Sequence, residues 1–166
     1  MSTTPRESVR AAFKAVLDAA TIRVISGGTG TLTTLAPTIY DRLPFEGADV
    51  RSVVLGIVSG TSRSPGVGMQ GTRKDATGRA VMDLYRLQVD CNYDDKEGCS
   101  QLADAVEQTL WNAHDTLRDT YDIHGLQKLL DVDALPLGAS LRIPVLTREA
   151  RVIQDYTFWT HRQLAT

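Results

Sequence analysis

Only two cysteines occur in 166 residues, too few for a disulfide framework. Their places, Cys91 in a strand-like run and Cys99 in a helix-like one, suit small buried apolar residues kept reduced. No apolar run approaches the ~18 residues that span a bilayer, and no charged-then-apolar leader opens the chain. A membrane partner is therefore not expected, and a cytosol-like compartment is. Clustered positive charge is also missing. The net charge of −2 and pI near 5.9 exclude a broad grip on duplex nucleic acid, which needs grouped Lys and Arg to release counterions; any DNA contact is local. Internal repeats and low-complexity tracts are absent. With 42% hydrophobic and 23% charged residues, 1–166 is expected to be one globular domain burying roughly two thirds of its unfolded surface.

Catalytic patterns are equally scarce. Gly66-x-Gly68-x-x-Gly71 has dinucleotide-fingerprint spacing, with Asp90 about twenty residues on, but Thr72 to Gly78 offers no helix N-terminus to a pyrophosphate. Ser26-Gly27-Gly28-Thr29-Gly30-Thr31 lacks the Gly-Lys-Ser/Thr ending of a phosphate loop and reads as a turn. Gly60-Thr61-Ser62-Arg63-Ser64 lacks the closing glycine of a nucleophile elbow. His114, His124 and His161 are scattered, none at zinc spacing from a second ligand, and Cys91-x7-Cys99 is not a metal pattern. Asp83, inward by alternation, is the one oddly placed acid, with Arg79 or Arg151 as candidate partners; no second acid can be set opposite it. The expectation is no catalytic residue, no cofactor, no metal, and no enzyme.

What the sequence does contain is one long organised piece, Arg79 to Leu117. Val81, Asp83, Tyr85, Leu87, Val89, Cys91 and Tyr93 alternate with Arg86, Gln88, Asp90 and Asn92, the period of a strand with one buried face. Cys99, Leu102, Ala103, Val106, Leu110, Ala113 and Leu117 then recur every three or four residues, the stripe of a helix, with Asp94 as its expected N-cap and Glu97 three residues on. Before it, Thr4-Pro5-Arg6-Glu7 signals a helix start, and Val9, Ala12, Phe13, Val16, Leu17 and Ala20 extend that helix from about Pro5 to Ala20.

The remaining segments read as strands and connections. Ile22 to Ile25 and Thr38-Ile39-Tyr40 are short strand candidates. Val50 to Val58 contains Val53, Val54, Leu55, Ile57 and Val58, an apolar run of strand length that asks for burial on both faces, and Gly56 within it suggests close approach of another backbone. Gly60 to Gly78 is long and unpatterned, with Arg63, Arg73 and Lys74 against only Asp75, and reads as a mildly basic Gly-rich arm. Asp119 to Gly125 reads as a polar connection, Leu126 to Val132 as a strand, and Leu141, Ile143 and Val145 as an edge-like segment. In Arg151 to Thr160, Val152, Tyr156 and Phe158 point one way and Ile153 and Trp159 the other. The expected class is α+β: a mixed, mainly antiparallel sheet, two main helices on one face, and a long β-arm at about 60–78. The other face then needs a partner or a hairpin. Trp111, on the flank of the helix stripe, and Trp159 either widen the core or, with Tyr156, anchor a subunit interface, where Trp and Tyr are enriched.

The parts, in order, resemble the tail terminator (tail-completion, tail-to-head joining) proteins of long-tailed phages and related viruses. The residues that carry the resemblance are Ile39-Tyr40-Asp41-Arg42-Leu43-Pro44 before Val53-Val54-Leu55-Gly56, then Tyr85-Arg86-Leu87-Gln88-Val89 leading into Cys99-Ser100-Gln101-Leu102-Ala103-Asp104-Ala105-Val106, and finally Arg151 to Trp159. The Gly27 to Thr31 insert and the Gln127 to Val145 segment depart from the minimal plan. The resemblance implies a homo-oligomer, a hexameric ring at the head–tail junction of a virion assembled in the host cytoplasm. Such a ring ends tail-tube polymerisation and joins the tube protein to the head–tail connector or stopper, with DNA only passing through the lumen. On this view Arg63, Arg73 and Lys74 of the arm meet an acidic partner surface or that DNA. A head-completion or neck (stopper or adaptor) role in the same virion is the near alternative. A small α/β ligand-binding domain or enzyme is the alternative from another class.

Overall fold

The computed structural model describes residues 5–20, 22–26, 31–35, 37–42, 51–63, 82–134 and 150–161. In chain order these form α1 (Pro5–Ala19), β1 (Ile22–Ser26), β2 (Thr31–Leu35), β3 (Thr38–Tyr40), β4 (Ser52–Arg63), β5 (Met82–Tyr93), α2 (Lys96–Asn112), α3 (His114–Tyr121), β6 (Ile123–Ala134) and β7 (Ala150–His161). The class is α+β. Five strands form one sheet in the order β3-β4-β5-β7-β6, with β3 parallel to β4 and every other pair antiparallel. β1 and β2 make a separate antiparallel pair that contacts α2.

Alternation along the strands decides which face the helices cover. Val53 and Leu55 of β4, Tyr85, Leu87, Val89 and Cys91 of β5, and Val152, Tyr156 and Phe158 of β7 all point to one side. There they join Val9, Phe13 and Leu17 of α1, Cys99, Leu102, Val106 and Leu110 of α2, and Leu117 of α3 in one core. Each fully buried large side chain contributes about 1.5–3 kcal/mol relative to exposure. Phe13 meets Phe158 edge-on at 5.1 Å between ring centroids, and Tyr85 stacks on Phe158 at 5.6 Å. The buried Gln154 amide donates to the Ala103 carbonyl at 3.2 Å, tying β7 to α2, and accepts from the Tyr156 hydroxyl at 3.0 Å.

Several expectations are corrected. The helical stripe to Leu117 is two helices, with Ala113 at once the C-cap of α2 and the N-cap of α3. Leu117, 1% exposed, draws the extra turns onto the core, so Asp119 to Tyr121 are helical instead of a polar connection. The N-cap of α2 is Asp95, not Asp94. Asp95 is extended, and its carboxylate accepts the Gly98 N–H at 2.7 Å, whereas Asp94 pairs with Arg51. A Cβ on Gly56 would meet nothing within 4 Å. The irregularity is instead the register shift between Ile57 and Ser59, which leaves Val58 unpaired and half exposed. β4 continues through Arg63, so Gly60 to Arg63 belong to the ladder, and Thr31–Leu35 is a strand that the sequence did not announce. Asp83 is buried opposite Thr160, while Arg151 pairs with Asp90 at 2.7 Å.

The Gly66 to Gly71 motif, Arg79, and the segment with Leu141, Ile143 and Val145 lie outside the described residues. No helix among the described residues is long and apolar enough to cross a membrane.

Candidate functional site

The end of α3, the start of β6 and the end of β7 bring together three side chains of types that can ligate a metal, Asp122, His124 and His161. The C-cap of α3 is Asp122, in the left-handed region at φ 58°, with its backbone N–H held by the carbonyls of Leu117 and Arg118. An aspartate tolerates that conformation better than most residues. The chain then enters β6 with His124 two residues on, directly opposite Trp159 of β7. His161 follows Trp159 at the same strand period, so His124, Trp159 and His161 lie on the face turned away from the helices.

His124 Nε2 and His161 Nδ1 converge on one atom, Asp122 Oδ1, at 2.8 and 2.7 Å. The His161 backbone N–H donates to the other oxygen, Oδ2, at 3.2 Å. Trp159 lies flat on His124, with 4.3 Å between centroids and 13° between planes, and meets His161 edge-on at 5.2 Å. Gly125, at φ +60°, makes room for the indole, since a Cβ there would stand 2.9 Å from Trp159 Nε1. Burial alone would raise the Asp122 carboxyl; hydrogen bonds from the two histidines, and their charge, outweigh it and hold the group below the ordinary carboxylate value. Asp122-x-His124 and Trp159-x-His161 both carry the period-two signal in sequence. Only the β6–β7 register could join them.

The face that carries this cluster is uncovered by any of the three helices. It holds an Arg86–Asp155 ion pair, in which Asp155 is 4% exposed, the Arg151–Asp90 pair, and a Gln88 amide donating to Asp90 at 2.9 Å. Along the β6 edge this polar lattice gives way to apolar side chains. Leu130 and Val132, opposite Asp155 and Ile153, are 45% and 40% exposed, and Leu129, at a bulge, is 56% exposed. Between α2 and β6 runs a groove lined by Ser100, Asp104, Asp131 and Asp133. Its acids are partly neutralised, Asp131 by Lys128 at 3.2 Å and Asp133 by Lys96 at 2.7 Å.

The residues singled out from sequence fare differently. Trp111 is 47% exposed on α2, its indole N–H directed at Glu107 at 3.4 Å. Trp159 is half-buried and belongs to the Asp122 cluster. Tyr156 is no surface residue: it is 1% exposed in the core, because it shares the inward row of β7 with Val152 and Phe158, and burial pushes its phenol well up. A side chain so placed cannot anchor a subunit interface. Arg63 ends β4, and its side chain, like Arg73 and Lys74, lies outside what the structure describes. Set against known proteins, the chain matches no family model, and no curated protein matches it significantly.

Proposed function

We propose that the chain is a viral structural subunit that assembles into a ring at the end of the tail tube, ends tube polymerisation and joins the tail to the head connector. The observation that carries this reading is a sheet that, among the described residues, has helices on one face and none on the other. Helices cover one face, while the long edge strand β6 turns Leu129, Leu130 and Val132 to solvent. An unpaired edge with apolar side chains is a ready template for another chain. In a head-to-tail ring each subunit offers that edge to a different patch of its neighbour, and closure leaves no edge free. The resemblance supplies the role, and the β4–β5 ladder, which runs out to Arg63 opposite Met82, suits the base of an arm. A head-completion or neck role uses the same features at a different level of the virion.

Light scattering and negative-stain electron microscopy of the purified chain test the reading. The expected result is a ring, six-fold on this reading, alone or on addition of tail tubes. A chain that stays monomeric at micromolar concentration and also fails to bind tail tubes overturns it. The competing class, a small ligand-binding domain or enzyme, has the Asp122–His124–His161 cluster in its favour and predicts such a monomer.

A further inference from the structure

We propose that Asp122, His124 and His161 form a binding site for one divalent transition-metal ion of the zinc type. Three donor atoms, Asp122 Oδ1, His124 Nε2 and His161 Nδ1, lie within 4.8 Å of one another. Tetrahedral zinc places its ligands ~2.0–2.2 Å from the metal, hence ~3.3 Å from each other. The carboxylate oxygen now sits 2.8 and 2.7 Å from the two ring nitrogens, so a retreat of roughly half an ångström opens the position. In the metal-free arrangement both inward nitrogens donate to Asp122 Oδ1; metal binding takes the other tautomers, with the proton of His124 on Nδ1 and that of His161 on Nε2, so that both inward nitrogens offer lone pairs.

The surroundings hold these ligands in place. Trp159 packs flat on one ring and edge-on to the other, which fixes both imidazoles before any ion arrives. The Asp122 backbone is locked by its capping bonds, and its second oxygen is held by the His161 backbone N–H, which leaves Oδ1 to face the site. Such outer contacts commonly orient first ligands. His161 Nε2 is buried without a hydrogen-bond partner among the described residues, so this ring is oriented by its packing against Trp159 and by Nδ1, not by an outer hydrogen bond. Two nitrogen donors and one oxygen select zinc, cobalt, nickel or copper over magnesium or calcium, which take oxygen ligands. Three protein ligands leave a fourth position for water, reached past Asp122 and His124, the more exposed members of the trio. Bound metal would pin the end of α3 to the β6–β7 pair. The proposal does not depend on the ring reading.

The test uses the full chain, dialysed against chelator and titrated with Zn2+ by calorimetry, with Co2+ as a visible-absorption probe. The expected result is one equivalent per chain, a rise in melting temperature with Zn2+, and a Co2+ spectrum of a low-coordinate site. His161→Ala and His124→Gln should each weaken binding at least tenfold, and His114→Ala, on α3 away from the site, should leave it unchanged. Circular dichroism reports whether His161→Ala still folds; if it does not, His124→Gln, at the more open ring, decides. Absence of saturable Zn2+ binding, equal affinity for Mg2+, or full binding by His124→Gln overturns the proposal.

Discussion

A Cβ added to Gly98 would lie 2.2 Å from Cδ1 and Cε1 of Tyr93. The ring at the end of β5 fills the space beside the first turn of α2, and Arg51 sits over the ring at 5.2 Å from its centroid. The joint between the central strand and its helix is therefore closed by an aromatic ring on a bare backbone. On an exposed helix Gly→Ala would gain about 1 kcal/mol. Here Gly98→Ala should instead lose about 1–3 kcal/mol, the usual cost of overpacking, because the ring must swing out. Urea denaturation measures this, and Tyr93→Ala in the same chain should restore the helix gain; a stabilised Gly98→Ala single variant would show the ring to be loosely held.

Alkaline pH should expose the two thiols as a stability term. Burial pushes the Cys91 thiol well up, with Cys99 and Asp90 adding to it, and pushes Cys99 up to about 11. Both groups stay protonated in the folded state where the unfolded chain ionises near ~8.5. The unfolded state then binds fewer protons, so stability is full below about pH 8.5 and falls toward pH 11, by up to about 1.4 kcal/mol per pH unit per thiol. Thermal melts across this window should slope less in Cys91→Ala and Cys99→Ala. The folded protein should also resist alkylation at pH 8 and react on unfolding; fast labelling of the native chain would contradict the burial.

The legibility of these features differs in kind. The inward rows of β5 and β7, the stripe of α2 and the reduced cysteines could be read because each is a local period, and burial follows the period. The break at Ala113 could not, since the apolar stripe runs through it to Leu117 without a proline or glycine. β2 is a threonine-rich strand whose ladder depends on β1. The Asp122 cluster was missed for a topological reason: Asp122-x-His124 is only a pair until the β6–β7 register adds His161, thirty-seven positions away by their numbers. For Tyr156 the inward row of β7, shared with Val152 and Phe158, decides its place, and the enrichment of tyrosine at interfaces does not.

The Arg86–Asp155 pair should behave as a half-buried one. Asp155 is 4% exposed and its Oδ1 has no partner among the described residues, while the Arg86 side chain is 45% exposed. Solvent screening at the arginine reduces the gain below that of a fully buried pair. Arg86→Leu leaves a buried carboxylate without this cation and should cost about 1–3 kcal/mol. The same change in an Asp155→Asn background should cost clearly less. Equal losses in the two backgrounds, measured in a double-mutant cycle, would show that the pair contributes nothing.

The sheet edge offers the most direct contact between fold and assembly. Leu130 and Val132 are exposed on the face turned away from the helices, and neither belongs to the core. Lysine at both positions therefore costs the monomer little, within about 0.5 kcal/mol for surface changes outside special features, while charge on an exposed edge opposes strand pairing. Leu130→Lys with Val132→Lys should keep the native circular dichroism and melting temperature, yet shift the light-scattering mass toward that of one chain. Trp111→Ala provides the comparison, because that ring is just as exposed but stands on α2, on the opposite side of the sheet. If the ring uses the β6 edge, only the lysine pair dissociates it; dissociation by Trp111→Ala alone would move the interface to the helices.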